Sequence, residues 1–188
     1  MTMKTIKLIT GNEGKFKEMN EIAEGKGVKL EWINCPKVEV QADTIEEISL
    51  HSAIDSFLSF RSPLIVDDSG LFVDALNGFP GPYTKFVRKT IGIEGMLRLL
   101  SNVKRREANF ETVITFTDGK KTLTFHGDVE GKISEEAKGV RGFGFDPIFI
   151  PNGSDKTFAE MEISEKNKYS HRARAFLKFL DFFLTYNG

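Results

Sequence analysis

An α/β fold built on a mixed sheet is what this sequence predicts, and three features carry the prediction. Strand-like and helix-like segments alternate from Thr5 to Val66, which implies parallel strand pairs. Ala108–Gly127 reads as a long antiparallel hairpin, which suggests strands crossing between two lobes. No repeat, low-complexity tract or Ser/Pro linker interrupts the chain, so residues 1–188 are expected to form a single two-lobed domain.

Taken in order, Thr5–Thr10 alternates polar and apolar residues and is rich in β-branched side chains, a strand pattern. It runs through Gly11-Asn12-Glu13-Gly14-Lys15 into a helix carrying Phe16, Met19, Ile22 and Ala23 and ending near Gly25 or Gly27. Lys29–Asn34 is a second short strand. Beyond the Pro36 loop and Val38-Glu39-Val40, Thr44 with Glu47 forms a capping box for a helix to about Phe60, with Ile45, Ile48, Ile54, Phe57 and Leu58 at helical spacing. Pro63–Val66 is a buried-type strand expected to end at Asp67-Asp68-Ser69-Gly70. Gly78–Thr84, with two prolines and two glycines, is expected to be a rigid loop. Phe110, Thr112, Ile114 and Phe116 share one face of the first hairpin strand, Asp118-Gly119 turns it, and Lys121–Gly127 returns. Ser170 caps a last helix whose Ala175–Leu184 run holds more apolar residues than one stripe needs, so it is buried on two sides or meets a second subunit.

Composition narrows the functional classes. A net charge of −1 argues against a nucleic-acid backbone as main partner, which normally calls for a basic face, although a few lysines in one cleft suffice for a small anion. Cys35 is the sole cysteine, which excludes an intrachain disulfide and a CxxC metal knuckle; it lacks a catalytic signature and is expected to be structural. No run approaches the length of a membrane span, and the first ten residues do not read as a signal peptide, so a cytoplasmic protein is expected.

Several segments bear chemistry. A strand–loop–helix junction aims backbone N–H groups and a helix N-terminus at one point, and Thr10, Gly11, Asn12, Glu13, Gly14 and Lys15 make such an anion-binding junction. The spacing is too short for a Walker A loop. Asp67 and Asp68 stand at the strand edge where α/β sheets collect ligands. Adjacent residues of a strand point to opposite faces, so the two carboxylates divide their roles rather than gripping one ion. Mg²⁺ suits such a site, because it takes one or two carboxylates plus phosphates and water. Glu39, on its short extended segment, reads from its neighbours alone as a solvated residue. Phe143, Gly144, Phe145 and Asp146 put two rings and a carboxylate on a glycine-hinged loop able to hold a base, or simply to pack. His171 and Arg172 open the last helix against its dipole, an inconsistency that points to a site.

Together TGNEGK, DDSG, GFPGPYT, GFGFDPIF and SHRARA, in this order, resemble the inosine triphosphate pyrophosphatase (Ham1-like) family over nearly the whole chain. The resemblance implies a homodimer with a deep cleft between two lobes. It also implies Mg²⁺-dependent hydrolysis of ITP, dITP and XTP to the monophosphate and pyrophosphate. Thr10–Lys15 would hold the triphosphate, and Asp68 would bind metal and accept the proton of the attacking water, with Asp67 beside it. Glu39 would be the other metal ligand and Ser69 would touch substrate. Phe143–Asp146, Lys166, His171 and Arg172 would enclose the purine. Many members carry a lysine in the second helix that reaches the phosphates; by position Ser52 replaces it here, leaving Lys15, the metal, Arg88 or Lys89 to supply the charge.

Three other readings predict different outcomes. A Maf-like nucleotide pyrophosphatase would prefer other bases. A non-catalytic nucleotide-binding module would bind ITP without turnover and leave the acidic pair unexplained. An aspartyl-phosphate phosphatase would release orthophosphate from monophosphates, but it normally reads DxDx[TV] where this chain has DDSGL.

Overall fold

The structure, a computed structural model, describes residues 3–187. Met1, Thr2 and Gly188, the ends of the expected 1–188 unit, lie outside the described residues. Its frame is a seven-stranded mixed sheet in the order β2-β1-β3-β5-β6-β7, with β4 paired to β3. β1 (Lys4–Ile9) pairs in parallel with β2 (Val28–Ile33) and β3 (Leu64–Val73), while β5 (Glu107–Thr117), β6 (Thr122–Ile133) and β7 (Phe149–Pro151) continue it antiparallel. The α/β class and the long hairpin expected from the sequence are both present.

Three apolar cores lie along this sheet, two on opposite faces of the first lobe and one in the second. In the first lobe α1 (Glu13–Gly25) and α6 (His171–Thr185) cover one face, packing Met19, Ala23, Phe176, Phe179 and Leu180 on Ile6, Leu8, Ile65, Ile114 and Phe116. α2 (Ile45–Phe60) covers the other face over Ile9, Leu64 and Val66. Side-chain parity explains the division: Ile65 points to α6, whereas Leu64 and Val66 point to α2. In the second lobe the distal halves of β3, β5 and β6 pack with Met96, Phe145, Phe149 and Phe158. β3, β5 and β6 therefore run through both lobes.

The caps sit where the sequence puts them. Thr44 and Glu47 form the capping box of α2, and Ser170 Oγ accepts from Ala173 N at the start of α6. Asn12 Oδ1 accepts from Lys15 N, so α1 begins at Glu13, and Glu13, Gly14 and Lys15 form its first turn rather than a loop before it.

Four expectations need correction. β3 does not end at the acidic pair. β1 leaves it after Val66, but β5 pairs with it to Val73, so Asp67–Gly70 stay in strand. β6 runs past Gly127 to Ile133 because β7 and the far end of β5 extend the ladder. The Gly78–Thr84 loop contains β4 (Pro80–Gly81) and leads into α3 (Thr84–Thr90) and α4 (Gly92–Leu99), which the sequence pattern did not disclose. The face of α2 turned inward is Ile45, Ile48, Ser49, Ser52, Ala53 and Ser56, while Ile54 and Leu58 are exposed. The small serines let the helix approach closely, and Ser49 Oγ bonds to Thr115 Oγ1 at 2.7 Å and donates to Val113 O.

The apolar excess of the last helix is used inside the lobe, where α6 lies on β5 and β6 and beside α1, leaving Leu177 and Leu184 exposed. Each buried Phe or Leu there contributes roughly 2 kcal/mol. Lys4 Nζ, on the first strand, donates to the carbonyls of Phe183, Leu184 and Tyr186 and so closes the end of the helix. Cys35 is half-buried and packs at the edge of the α2 core.

Candidate functional site

The parity that divides the cores also divides the acidic pair. Asp67 follows Ile65 to the α1/α6 side, where its Oδ2 lies 3.1 Å from both Lys15 Nζ and Arg172 Nε. Asp68 follows Val66 to the opposite side, where Lys37 Nζ lies 2.9 Å from both of its carboxylate oxygens. Lys37 Nζ also donates to the Asp67 carbonyl at 2.5 Å. Burial works against ionising Asp67, but Lys15, Arg172 and Lys37 outweigh it and hold the carboxyl well below its ordinary range. For Asp68 burial prevails over Lys37 and pushes the carboxyl up.

Behind Asp67 lies a buried charge network that fixes the start of α6. Glu18 of α1 accepts from Lys166 Nζ at 2.5 Å and from Arg172 Nη1 at 2.7 Å. Lys166, from α5 (Ile163–Lys166), also reaches Asp146 at 2.7 Å, and Arg172 Nη2 donates to Ser69 Oγ at 2.9 Å. Thus the cation that opposes the α6 dipole is answered by two carboxylates. Burial alone would raise Glu18, but Lys166 and Arg172 lower it further, so it stays ionised. His171 stacks on Phe110 with ring centroids 4.7 Å apart, and its Nδ1 is buried without a hydrogen-bond partner. Burial, and then the cations Arg172 and Lys166, hold its pKa well below 6.5, so the ring is neutral.

Three adjoining cavities line this edge. One of about 450 Å³ is bordered by Glu39, Asp68 and Ser69, one of about 660 Å³ by Thr10–Lys15 with Lys37, and one of about 470 Å³ by Phe143, Asp146, His171 and Arg172. Lys15 and Lys85 border all three, so they form one cleft. α3 supplies the opposite wall: Lys85 and Lys89 face the cleft, and Arg88 Nε donates to Gly144 O at 2.7 Å. Lys85 Nζ reaches Glu39 at 2.8 Å across the opening.

The candidate metal, phosphate and base residues read from the sequence lie at this cleft or in the network behind it, though not always as expected. Thr10 is buried, its Oγ1 accepting from Asn12 N, while Glu13 faces solvent and pairs with Lys17. Phe143 is half-buried; Lys166 Nζ lies 4.7 Å and Arg172 Cζ 5.3 Å from its ring centroid, and Gly14 leaves room for the ring. Phe145 is no exposed ring: it fills the core of the second lobe, so only its backbone is near the cleft. Asp146 is buried, accepting from Phe143 N and from Lys166, which shapes the loop. Ser52 takes no lysine's place at the cleft. Its buried hydroxyl donates to Val38 O at 2.6 Å, tying the Lys37–Glu39 segment to α2.

Sequence reasoning missed Lys37, Lys85 and Glu18. Lys37, between Pro36 and Val38, has no local pattern that marks it. Glu18 occupies the face of α1 that Met19 helps to bury, and a charged residue on an otherwise apolar helix face was the available signal.

The chain matches known proteins over nearly its whole length and theirs. A dITP/XTP pyrophosphatase of Saccharolobus solfataricus is 58% identical over 181 residues, covering 96% of this chain and 94% of that protein. One from Hyperthermus butylicus is 47% identical, with 93% and 92% covered. A solved HAM1 protein of Coxiella burnetii superposes with a TM-score of 0.84 at 29% identity, over 98% of this chain and 100% of that one. The Ham1 family profile matches residues 6–182, a span that takes in the phosphate-type loop, both aspartates and the start of α6; the chain belongs to the Ham1 family.

Proposed function

We propose that this chain hydrolyses non-standard purine nucleoside triphosphates, dITP, ITP and XTP, to the monophosphate and pyrophosphate with Mg²⁺. Residues 1–188 act as one two-lobed unit, in a cytoplasmic homodimer. The observation that carries the reading is the division of the acidic pair. Asp67 is committed to Lys15 and Arg172, whereas Asp68 borders the same cavity as Glu39. The names of the relatives, dITP/XTP pyrophosphatases, supply the substrate class. The exposed rings of Phe79, Tyr83 and Phe86 support a subunit contact near α3. Among the described residues no helix is long and apolar enough to cross a membrane.

The donor set fits the metal. Among the described residues no three His, Cys, Asp or Glu side chains make a complete metal site. Glu39 and Asp68 offer two carboxylates at one cavity, which matches an ion that completes its shell with phosphates and water. Bound there, Mg²⁺ would neutralise phosphate oxygens. Asp68, at the same cavity, is the carboxylate that would accept the proton of the attacking water. Lys15 and the N-terminus of α1 receive the charge of the departing pyrophosphate. At the other end of the cleft, Lys166 and Arg172 hold the Phe143–Asp146 loop and the start of α6 in place, and the backbone N–H groups of Gly144 and Phe145, at the cavity's edge, are the donors we assign to a 6-oxo purine. A 6-amino group would leave such donors unpaired, a penalty that reaches factors of about 10⁴–10⁵ in well-built polar sites.

Product analysis of ITP hydrolysis with and without Mg²⁺ tests the proposal. Pyrophosphate and monophosphate are expected, only with metal; orthophosphate as first product, or equal turnover of ATP and GTP, overturns it. Asp68→Asn is expected to lower kcat by about 10²–10⁴-fold while ITP binding stays measurable by calorimetry.

A further inference from the structure

The two carboxylates proposed above as metal ligands each carry a lysine ammonium, and the two ammoniums are not alike. Lys85 on Glu39 is a surface group, with 79% of its side chain exposed. Lys37 on Asp68 is buried, its side chain 5% exposed, and it is held by three contacts: both Asp68 oxygens at 2.9 Å and the Asp67 carbonyl at 2.5 Å. Its own segment is fastened to α2 through the Ser52–Val38 bond. We propose that Lys37 is the built-in counter-ion of Asp68, and that a divalent cation gains Asp68 only by displacing the Lys37 ammonium toward a polyphosphate.

The argument is one of charge balance in a buried place. A divalent ion arriving alone would compete with an ammonium seated on both carboxylate oxygens, and the displaced ammonium would be left in a buried pocket without an anion. A divalent ion arriving with a polyphosphate brings that anion along. Lys37 borders the cavity at Thr10–Lys15, so a short swing of its flexible stem transfers the charge from Asp68 to the phosphates. Lys37 thereby supplies, from the loop before α2, the phosphate charge that a second-helix lysine does not supply in this chain. It also makes metal and polyphosphate binding positively coupled, and coupling of this kind is reciprocal.

This inference rests on Asp68 being a metal ligand, and Mn²⁺ titration by electron paramagnetic resonance separates the two ideas. Lys37→Met is expected to bind Mn²⁺ alone about 10-fold tighter than the unmodified chain, a typical size for a coupling of this kind. Lys37→Arg, which keeps a cation on the carboxylate, is expected to bind no tighter. If Lys37→Met does not fold, Lys37→Gln, which retains a donor without the charge, carries the same expectation. Unchanged or weaker Mn²⁺ binding in the uncharged variants, or equal tightening in the Arg variant, overturns the role of Lys37. In the Lys37→Met background, Mn²⁺ binding that survives a further Asp68→Asn substitution undiminished overturns the metal placement itself, and this inference with it.

Discussion

His171 illustrates how one side chain records its surroundings. Its ring lies flat on Phe110, and burial with Arg172 and Lys166 nearby keeps it neutral. The folded pKa is below the unfolded value near 6.5, so above that pH both states are neutral and nothing is gained or lost. As pH falls below it, the unfolded chain takes up a proton that the folded ring refuses, and stability declines. Thermal midpoints measured between about pH 7 and pH 5 are therefore expected to fall less steeply for His171→Phe, which keeps the stacking, than for the unmodified chain; parallel slopes would contradict this. Glu18 shows the same logic with opposite charge, since one buried carboxylate steadies both Lys166 and Arg172.

Among the elements, β6 and α6 meet most closely at Gly127. A Cβ there would collide with the His171 carbonyl and the Ala175 backbone nitrogen, and neither can move without shifting the helix. Gly127→Ala is expected to cost about 2 kcal/mol or more, seen as a lower urea midpoint with an unchanged m-value, and to lower turnover because Arg172 moves with α6. Elements with local signals were readable from the chain: the capping residues Thr44 and Ser170 mark their helices, and Asp118-Gly119 marks the hairpin. Elements set by distant partners were not. Asp67-Asp68-Ser69-Gly70 looks like a turn and is a strand only because β5 pairs along it, from Leu64 opposite Thr117 to Val73 opposite Ala108. The acids and the phosphate-type loop were legible as site residues because they cluster at a strand edge, whereas Lys37 and Lys85 reach the site from segments with no chemical signature.

At the scale of the molecule a pair of opposite charges spans the cleft. Lys85 on α3 and Glu39 beside β3 form an exposed pair, worth at most about 1 kcal/mol to folding. Lys85→Ala is expected to leave the thermal midpoint within about 4 °C. It is also expected to raise the KM for ITP about tenfold, as loss of a hydrogen bond to a charged group does. That difference should shrink as ionic strength rises. An unchanged KM at low salt would remove Lys85 from the substrate's path.

The closure of α6 by Lys4 has a consequence for how the protein is made. β1 leaves a ribosome well before α6 does, and the face that Ile6 and Leu8 present is covered by Phe176, Phe179 and Leu180 of that later helix. A chain stalled before Ser170 exposes that face and leaves Asp67 and Glu18 without Arg172. Incomplete chains are then both aggregation-prone and unable to assemble the cleft.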